Sequence, residues 1–321
     1  MKFVIYTSSG HRNINIYSWR HIAGGTISRI AFSHHKGGTG KTTSCLNIAG
    51  YLEKAGKKVL VVDCDPQANA TLGLGVNPDS VTTSMYDVFM SGIEGFSSVT
   101  IPEIVIRTEC GVFLAPSTLD LVGAEPFLYE KENRATILRD ALGTLGTTYD
   151  YVLIDTPPSL GQFVINGLVA ADHCIVTLDA GIFAMHGIDA LTTIFSDIRE
   201  SIGQEVHADM IILTRWIEPP EVLVQGPQTP DLIALLKRIF MGPPEPSPEE
   251  VRKREDQNRE RERLNGLEND LRNRFRTVFA VPFSPEIYAA QKRGLPISHF
   301  APEGHAAQCY KDITDEVLKW N

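Results

Sequence analysis

No stretch of the 321-residue chain approaches the ~20 consecutive apolar residues that a membrane-spanning helix needs. The N-terminus also lacks the basic-then-apolar order of a signal peptide. Cysteine is scarce: Cys45, Cys64, Cys110, Cys174 and Cys309 are scattered, odd in number and never spaced C-x-x-C. That usage excludes a disulfide framework or a cysteine zinc site, and predicts reduced thiols in a cytoplasmic protein. Basic residues are outnumbered, 30 Lys+Arg against 39 Asp+Glu, for a net charge of −9 with histidine neutral. A highly basic nucleic-acid coat is thereby excluded, although a local basic patch is not. Hydrophobic residues make up 43% and charged residues 21%, which leaves no room for a disordered or fibrous chain. What remains has the length for one large α/β domain or two smaller ones.

Residues 2–7 (KFVIYT) and 14–19 (INIYSW) flank a Ser-Ser-Gly segment. They read equally as a β-hairpin or as a leader, so residues 1–26 are an N-terminal extension in either case. From Ile27 the order becomes strand (Ile27–His34), Gly-rich loop (Lys36–Thr43), helix-period segment (Thr43–Ala55, closed by Gly56) and strand (Lys58–Asp63). Further buried-strand candidates are Val112–Ala115, Tyr151–Asp155, Cys174–Thr177, Met210–Leu213 and Thr277–Val281, with helical stretches between most of them. This alternation predicts an α/β fold: a doubly wound, mostly parallel sheet flanked by helices, with ligands at the C-terminal strand ends. Residues 27–216 and 277–321 then form one domain, interrupted by residues 217–276. The interruption is Pro-rich around Leu232–Met241 and then densely charged from Glu249 to Arg276. A solvated helix held by i,i+4 ion pairs is the plainer reading of the charged part, and a DNA- or partner-contacting arm the sharper one.

The strongest chemical signal is H-H-K-G-G-T-G-K-T-T at 34–43. Glycines let successive backbone N–H groups turn inward around phosphate oxygens, a lysine meets the terminal phosphates, and a hydroxyl at the following helix start holds Mg²⁺. Gly37, Gly38 and Gly40 supply the backbone, Lys41 the charge and Thr42 the metal hydroxyl, with Thr39 and Thr43 completing the nucleotide-binding run. The ordinary pattern asks for Gly where His35 stands, and a second lysine, Lys36, opens the loop instead. His34 and His35 have no metal-ligand spacing around them and read as packing or hydrogen-bonding residues.

K-G-G-T-G-K-T-T resembles the deviant Walker A motif of the ParA/MinD superfamily of dimerising ATPases. V-L-V-V-D-C-D-P-Q-A-N-A-T at 59–71 is similar to the strand-and-switch segment of ParA/Soj-type partition ATPases, and Y-D-Y-V-L-I-D-T-P-P-S at 149–159 to their Walker B strand and switch. The resemblance runs from about Ile27 to Arg215 and resumes at Thr277. It implies that Thr42 ligates Mg²⁺, that Asp155 grips the water shell of the ion, that Asp63 lies nearer the metal, and that Asp65 orients the attacking water. Read alone, Asp63 and Asp65 would be a helix cap or a solvated strand end. Lys36 matches the signature lysine, which reaches the phosphates of the other subunit in trans, so Lys36, Lys41 and Asp65 form the implied catalytic set. Arg215 and Pro282 match positions flanking the nucleotide base. The family further implies an ATP-sandwich homodimer, an adaptor of ParB type, non-specific DNA as scaffold and a cytoplasmic, nucleoid-associated place in chromosome or plasmid segregation.

Competing readings separate on single features. A MinD-like switch on a membrane needs a basic amphipathic end, but Tyr310–Asn321 is short and acidic. An iron-protein reductase needs a cluster-holding cysteine after each switch, and none is placed there. A non-catalytic scaffold has no use for an intact loop with its metal threonine and acids. The DNA step is the weak joint: in the stretch 282–294 that follows Thr277–Val281 only Lys292 and Arg293 are basic, and Glu286 is acidic.

Overall fold

A computed structural model describes residues 27–159, 161–179, 184–216 and 248–320. The extension 1–26 and the Pro-rich 217–247, with the apolar segment Leu232–Met241, lie outside the described residues.

Among the described residues eight strands form one sheet: β1 (Ser28–Ser33), β2 (Val59–Asp63), β3 (Ile106–Arg107), β4 (Phe113–Ala115), β5 (Tyr151–Asp155), β6 (His173–Asp179), β7 (Ala208–Trp216) and β8 (Val278–Pro282). Their order is β3-β4-β2-β5-β1-β6-β7-β8, and every pairing is parallel except β3 with β4. This is the doubly wound α/β arrangement that the alternating pattern predicts. The central strands are apolar on both faces because helices cover both. Ile30, Phe32, Val59, Val61, Leu153 and Ile212 point to one layer. Ala31, Leu60, Val62, Val152, Ile154 and Leu213 point to the other. Strand β3, two residues at the exposed edge, had no apolar run to announce it.

The first layer is closed by the helices Lys41–Lys54 and His305–Val317, which share a core through Leu46, Ile48, Leu52, Tyr310, Ile313 and Val317. The apolar face of the C-terminal helix is thus spent inside the domain. Among the described residues no helix is long and apolar enough to cross a membrane.

The charged segment forms a 27-residue helix, Pro248–Arg274. Arg259 lies near Glu255 and Asp256 (3.8 and 3.5 Å), and Arg272 pairs with Glu268 at 2.7 Å. Reading the segment as solvated missed its C-terminal half. Leu264 and Leu271 are buried, and Leu267 and Phe275 pack beside them on the second layer. Those four positions recur at helical spacing, a stripe hidden in sequence by the arginines around it. Arg274 reaches across to Asp189 at 3.8 Å.

Candidate nucleotide-binding site

Strand β1 sits between β5 and β6, where the sheet reverses its winding, and the Gly-rich loop leaves its C-terminal end. This is where an open α/β sheet leaves a crevice for ligands. Gly38 (φ 75°) and Gly40 (φ 85°) hold left-handed backbone that other residues enter at a cost of ~1–2 kcal/mol. Gly40 has a second constraint: a Cβ there would stand 2.7 Å from Thr214 Cγ2. The loop is pinned from outside by Thr214 Oγ1, which donates to Thr39 O at 2.9 Å, and by the Thr39–Thr177 hydroxyl pair at 3.1 Å. The helix Lys41–Lys54 then begins with no side-chain cap, so its first N–H groups face the loop, the arrangement that binds anions elsewhere.

Lys41 is buried, and its Nζ approaches Lys36 O at 3.4 Å. Burial lowers its pKa, while Asp155 and Asp65 pull it back up. Thr42 Oγ1 donates to Asp155 Oδ2 at 2.7 Å, joining the helix start to the end of β5. The other Asp155 oxygen, Oδ1, is buried with no hydrogen-bond partner among the described residues. Burial, then the charge of Asp63, drives the Asp155 carboxyl well above the usual carboxylate range. Burial likewise pushes Asp63 up to about 7, against the hydrogen bonds that it accepts from Thr71 and the Asp65 backbone. Three acids with one lysine make a dry site short of positive charge. An orphaned carboxylate oxygen beside a hydroxyl is a fit for the water shell of Mg²⁺. Among the described residues no three His, Cys, Asp or Glu side chains are arranged to hold a metal by themselves. A cation here would therefore share its coordination with phosphate oxygens.

Asp63 and Asp65 part ways. Asp63 Oδ2 accepts from both the N–H and Oγ1 of Thr71 (2.8 and 2.7 Å), and its Oδ1 from the Asp65 N–H at 3.1 Å. It braces the turn after β2 rather than facing outward. Asp65 is nearly buried, accepts from the Gln67 N–H at 2.9 Å and lies within electrostatic reach of Lys41 and Asp155. Ala68 at φ 52° closes that turn in left-handed backbone, a local strain of the kind that collects at working sites.

A cleft of about 210 Å³ opens beside the loop, lined by Gly38, Gly40 and Thr43 on one side and Arg215, Pro282 and Tyr288 on the other. The structure thus brings Arg215 and Pro282 together with the glycines across a break of 66 residues in the sequence. Arg215 is held in left-handed backbone (φ 53°) and donates to Asp179 Oδ2 at 2.7 Å. Asp179 also stands 4.0 Å from Lys36 Nζ, whose side chain is 52% exposed. The sequence reading overlooked Asp179, although it ends a buried strand as Asp155 does, and that was its signal. Gln291, which donates to Thr43 Oγ1 at 2.9 Å, offered none.

His34 is buried directly after β1, its Nδ1 accepting the Lys36 N–H at 3.0 Å. Burial, then the charges of His35, Lys41 and Lys36, lowers its pKa from 6.5 to about 4. The unfolded chain takes up a proton below about pH 6.5 that the folded one refuses until about pH 4. His34 therefore subtracts stability as pH falls through that window, by up to ~3 kcal/mol. Urea unfolding of wild type and His34→Asn at pH 7 and pH 4.5 checks this: the loss between the two pH values should be smaller in the variant. Equal losses would clear His34.

An AAA-domain family model matches residues 27–208. The chain is 38% identical over 193 residues to the chromosome partitioning protein ParA of Myxococcus xanthus, covering 60% of this chain and 66% of that one. It is 37% identical over 191 residues to the chromosome-partitioning ATPase Soj of Thermus thermophilus, covering 59% and 70%. With the sporulation initiation inhibitor protein Soj of Bacillus subtilis it shares 28% over 288 residues, 90% of this chain and 97% of that one. Among solved structures, cobyrinic acid a,c-diamide synthase from Mycobacterium smegmatis with an ATP analog and magnesium superposes at TM-score 0.68, with 25% identity, over 92% of this chain and 96% of that one. The septum site-determining protein MinD from Pyrococcus horikoshii, complexed with Mg-ADP, does so at 0.61 with 21% identity, over 92% and 97%, a likeness of fold. The loop, the two acid-bearing strand ends and these matches agree, and the chain belongs to the ParA/Soj-type partition ATPases of the ParA/MinD family of P-loop ATPases.

Proposed function

We propose that the protein dimerises on Mg-ATP, hydrolyses it slowly to ADP and phosphate, and uses that cycle to position DNA or another cargo through an adaptor of ParB type. The observation that carries the reading is the Thr42–Asp155 bond with the unpartnered Asp155 Oδ1 beside buried Lys41. Mg²⁺, when bound, would spread the charge of the terminal phosphates. Thr42 would hold it, Asp155 its water shell, and Asp63 would support both by fixing the turn that carries Asp65. Gly37 to Thr43 cradle the phosphates with backbone N–H groups, and Lys41 neutralises them. Asp65 orients the attacking water. Phosphoryl transfer asks for such positioning and charge rather than covalent help. Arg215 and Pro282 flank the base in the adjoining cleft. Lys36, half exposed at the loop entrance, is free to serve the phosphates of a second subunit.

Light scattering tests the core of this reading: Mg-ATP should convert monomer to dimer, and a chain that stays monomeric at saturating ATP refutes it. DNA binding is expected to be weak, to need ATP and to fall steeply with salt, as counterion release requires. The helix Pro248–Arg274 spends Arg259 and Arg272 on its own acids, whereas Lys292 is exposed and lies 4.9 Å over the Tyr288 ring. In a filter assay at low salt, Lys292→Glu/Arg293→Glu should therefore abolish retention, and Arg259→Glu/Arg263→Glu should keep it. The reverse pattern would assign DNA to the inserted helix. No retention of wild type would remove DNA from the function.

A further inference from the structure

The backbone of one loop residue, Lys36, is anchored on both sides. The N–H of Lys36 donates to His34 Nδ1 at 3.0 Å, and its carbonyl accepts from Thr39 Oγ1 and Lys41 Nζ, each at 3.4 Å. The first bond is an i-to-i+2 side chain-to-backbone closure of the kind Asn or Asp makes in turns, with an imidazole in the acceptor place. Because Nδ1 accepts, the ring proton sits on Nε2, and that buried nitrogen has no hydrogen-bond partner among the described residues. The bond to Lys36 is thus the polar anchor that His34 possesses, with the His35 ring packed 4.7 Å away. Lysine has a long flexible stem, and Asp179, 4.0 Å from its Nζ, is already held by Arg215 at 2.7 Å. What fixes the direction of Lys36 is therefore its backbone, and what fixes that backbone at its N–H is His34.

We infer that His34 is a positioning residue for Lys36: its neutral imidazole holds the Lys36 N–H and so sets the angle at which Lys36 leaves the loop toward a second subunit. The inference rests on the reading of Lys36 as the lysine acting in trans. It separates the two lysines of the loop. Lys41 is placed chiefly by the helix Lys41–Lys54 and by burial, and its Nζ meets the Lys36 carbonyl at a long 3.4 Å rather than the N–H that His34 holds. Loss of the imidazole acceptor should accordingly impair turnover and spare nucleotide affinity.

The experiment measures single-turnover ATP hydrolysis, ADP affinity and thermal melting. The panel is wild type, His34→Phe, His34→Leu, His34→Asn, Lys36→Ala and His34→Leu/Lys36→Ala. Phe and Leu remove the acceptor with different volumes, and the one melting nearer wild type is scored. Asn restores an acceptor at the same distance along the side chain. We expect turnover to fall about tenfold without the acceptor, since one aligned hydrogen bond and the aim of a catalytic group are lost together. ADP affinity should stay within about twofold, Asn should recover most of the rate, and the double variant should be no slower than Lys36→Ala. If Asn is as slow as the acceptor-less variant, or ADP affinity falls with the rate, His34 is merely structural. Additive losses in the double variant likewise overturn the inference. If Lys36→Ala turns over at the wild-type rate, the role of Lys36 itself fails first, and that result is distinguishable from all the others.

Discussion

Lys36→Ala should lower turnover by two to three orders of magnitude while nucleotide affinity changes only severalfold. Two lysines enter the loop, and their surroundings divide the work. Lys41 is buried at the helix start, close enough to Asp155 and Asp65 for those charges to support its protonation, and so suits phosphates of its own subunit. Lys36 is half exposed, with a distant Asp179 as its partner. A cation delivered from a neighbouring subunit meets charge that develops on the transferring phosphoryl group. Groups supplied in this way contribute ~10³–10⁵ in kcat in related chemistry. Slow basal turnover leaves part of that range unmeasurable, hence the smaller expected effect, read by single turnover over hours. Because the interaction strengthens only in the transition state, KM should hardly move. Mixing supplies the sharper check. In a heterodimer of Lys36→Ala and Asp65→Ala subunits, the ATP held by the first has its own Asp65 and receives Lys36 from the second. Hydrolysis should return toward about a quarter of the wild-type rate on equimolar mixing of two inactive proteins, since about half of the dimers are mixed and each of those has one complete site of two. No recovery would place Lys36 in its own site, and the trans assignment would fall.

Much of this site could be read before any coordinates. Strands β1, β2, β5, β6 and β7 are apolar runs because helices cover both faces, and hydrophobicity without alternation is the mark of such strands. The loop was legible because phosphate binding leaves few alternatives to glycine, lysine and a hydroxyl in that order. Other features lie beyond a linear reading. Asp63 and Asp65 are two residues apart and look equivalent, yet the turn at Ala68 folds Thr71 back onto the first and leaves the second beside Lys41. The cleft beside the loop joins residues near 40, 215 and 285, so no local window contains it. The inserted helix hid its apolar stripe, Leu264 to Phe275, because long arginine side chains dominate its composition. His34 was readable as a hydrogen-bonding residue, but its partner, the backbone of Lys36, is set by the path of the loop.

Asp65→Ala should abolish hydrolysis and leave the ATP dimer intact. The carboxyl stands at the end of β2 in a turn fixed by Asp63, which accepts the Asp65 N–H and both donors of Thr71. Removing the Asp65 side chain leaves those bonds in place and costs the turn its bond from the Gln67 N–H, so the turn should largely keep its shape. It also leaves Thr42, Lys41 and Asp155, the groups that would hold nucleotide and metal, untouched. What disappears is the acceptor that would align the attacking water, and aligned proton acceptors contribute ~10²–10⁴ to rate. One acid fewer beside Lys41 and Asp155 also relieves like-charge repulsion at Asp155, so phosphate should bind at least as well. The variant should therefore collect as a long-lived dimer in Mg-ATP, resolved by light scattering, with radiolabelled ATP recovered unhydrolysed. Lys41→Ala is the contrasting case: without its charge the phosphates of the same subunit are unmet, and the protein should remain a monomer with weakened nucleotide affinity. A monomeric Asp65→Ala at saturating ATP would show that Asp65 serves binding or assembly. An Asp65→Ala dimer hydrolysing at the wild-type rate would move the water-orienting role to another group of the site.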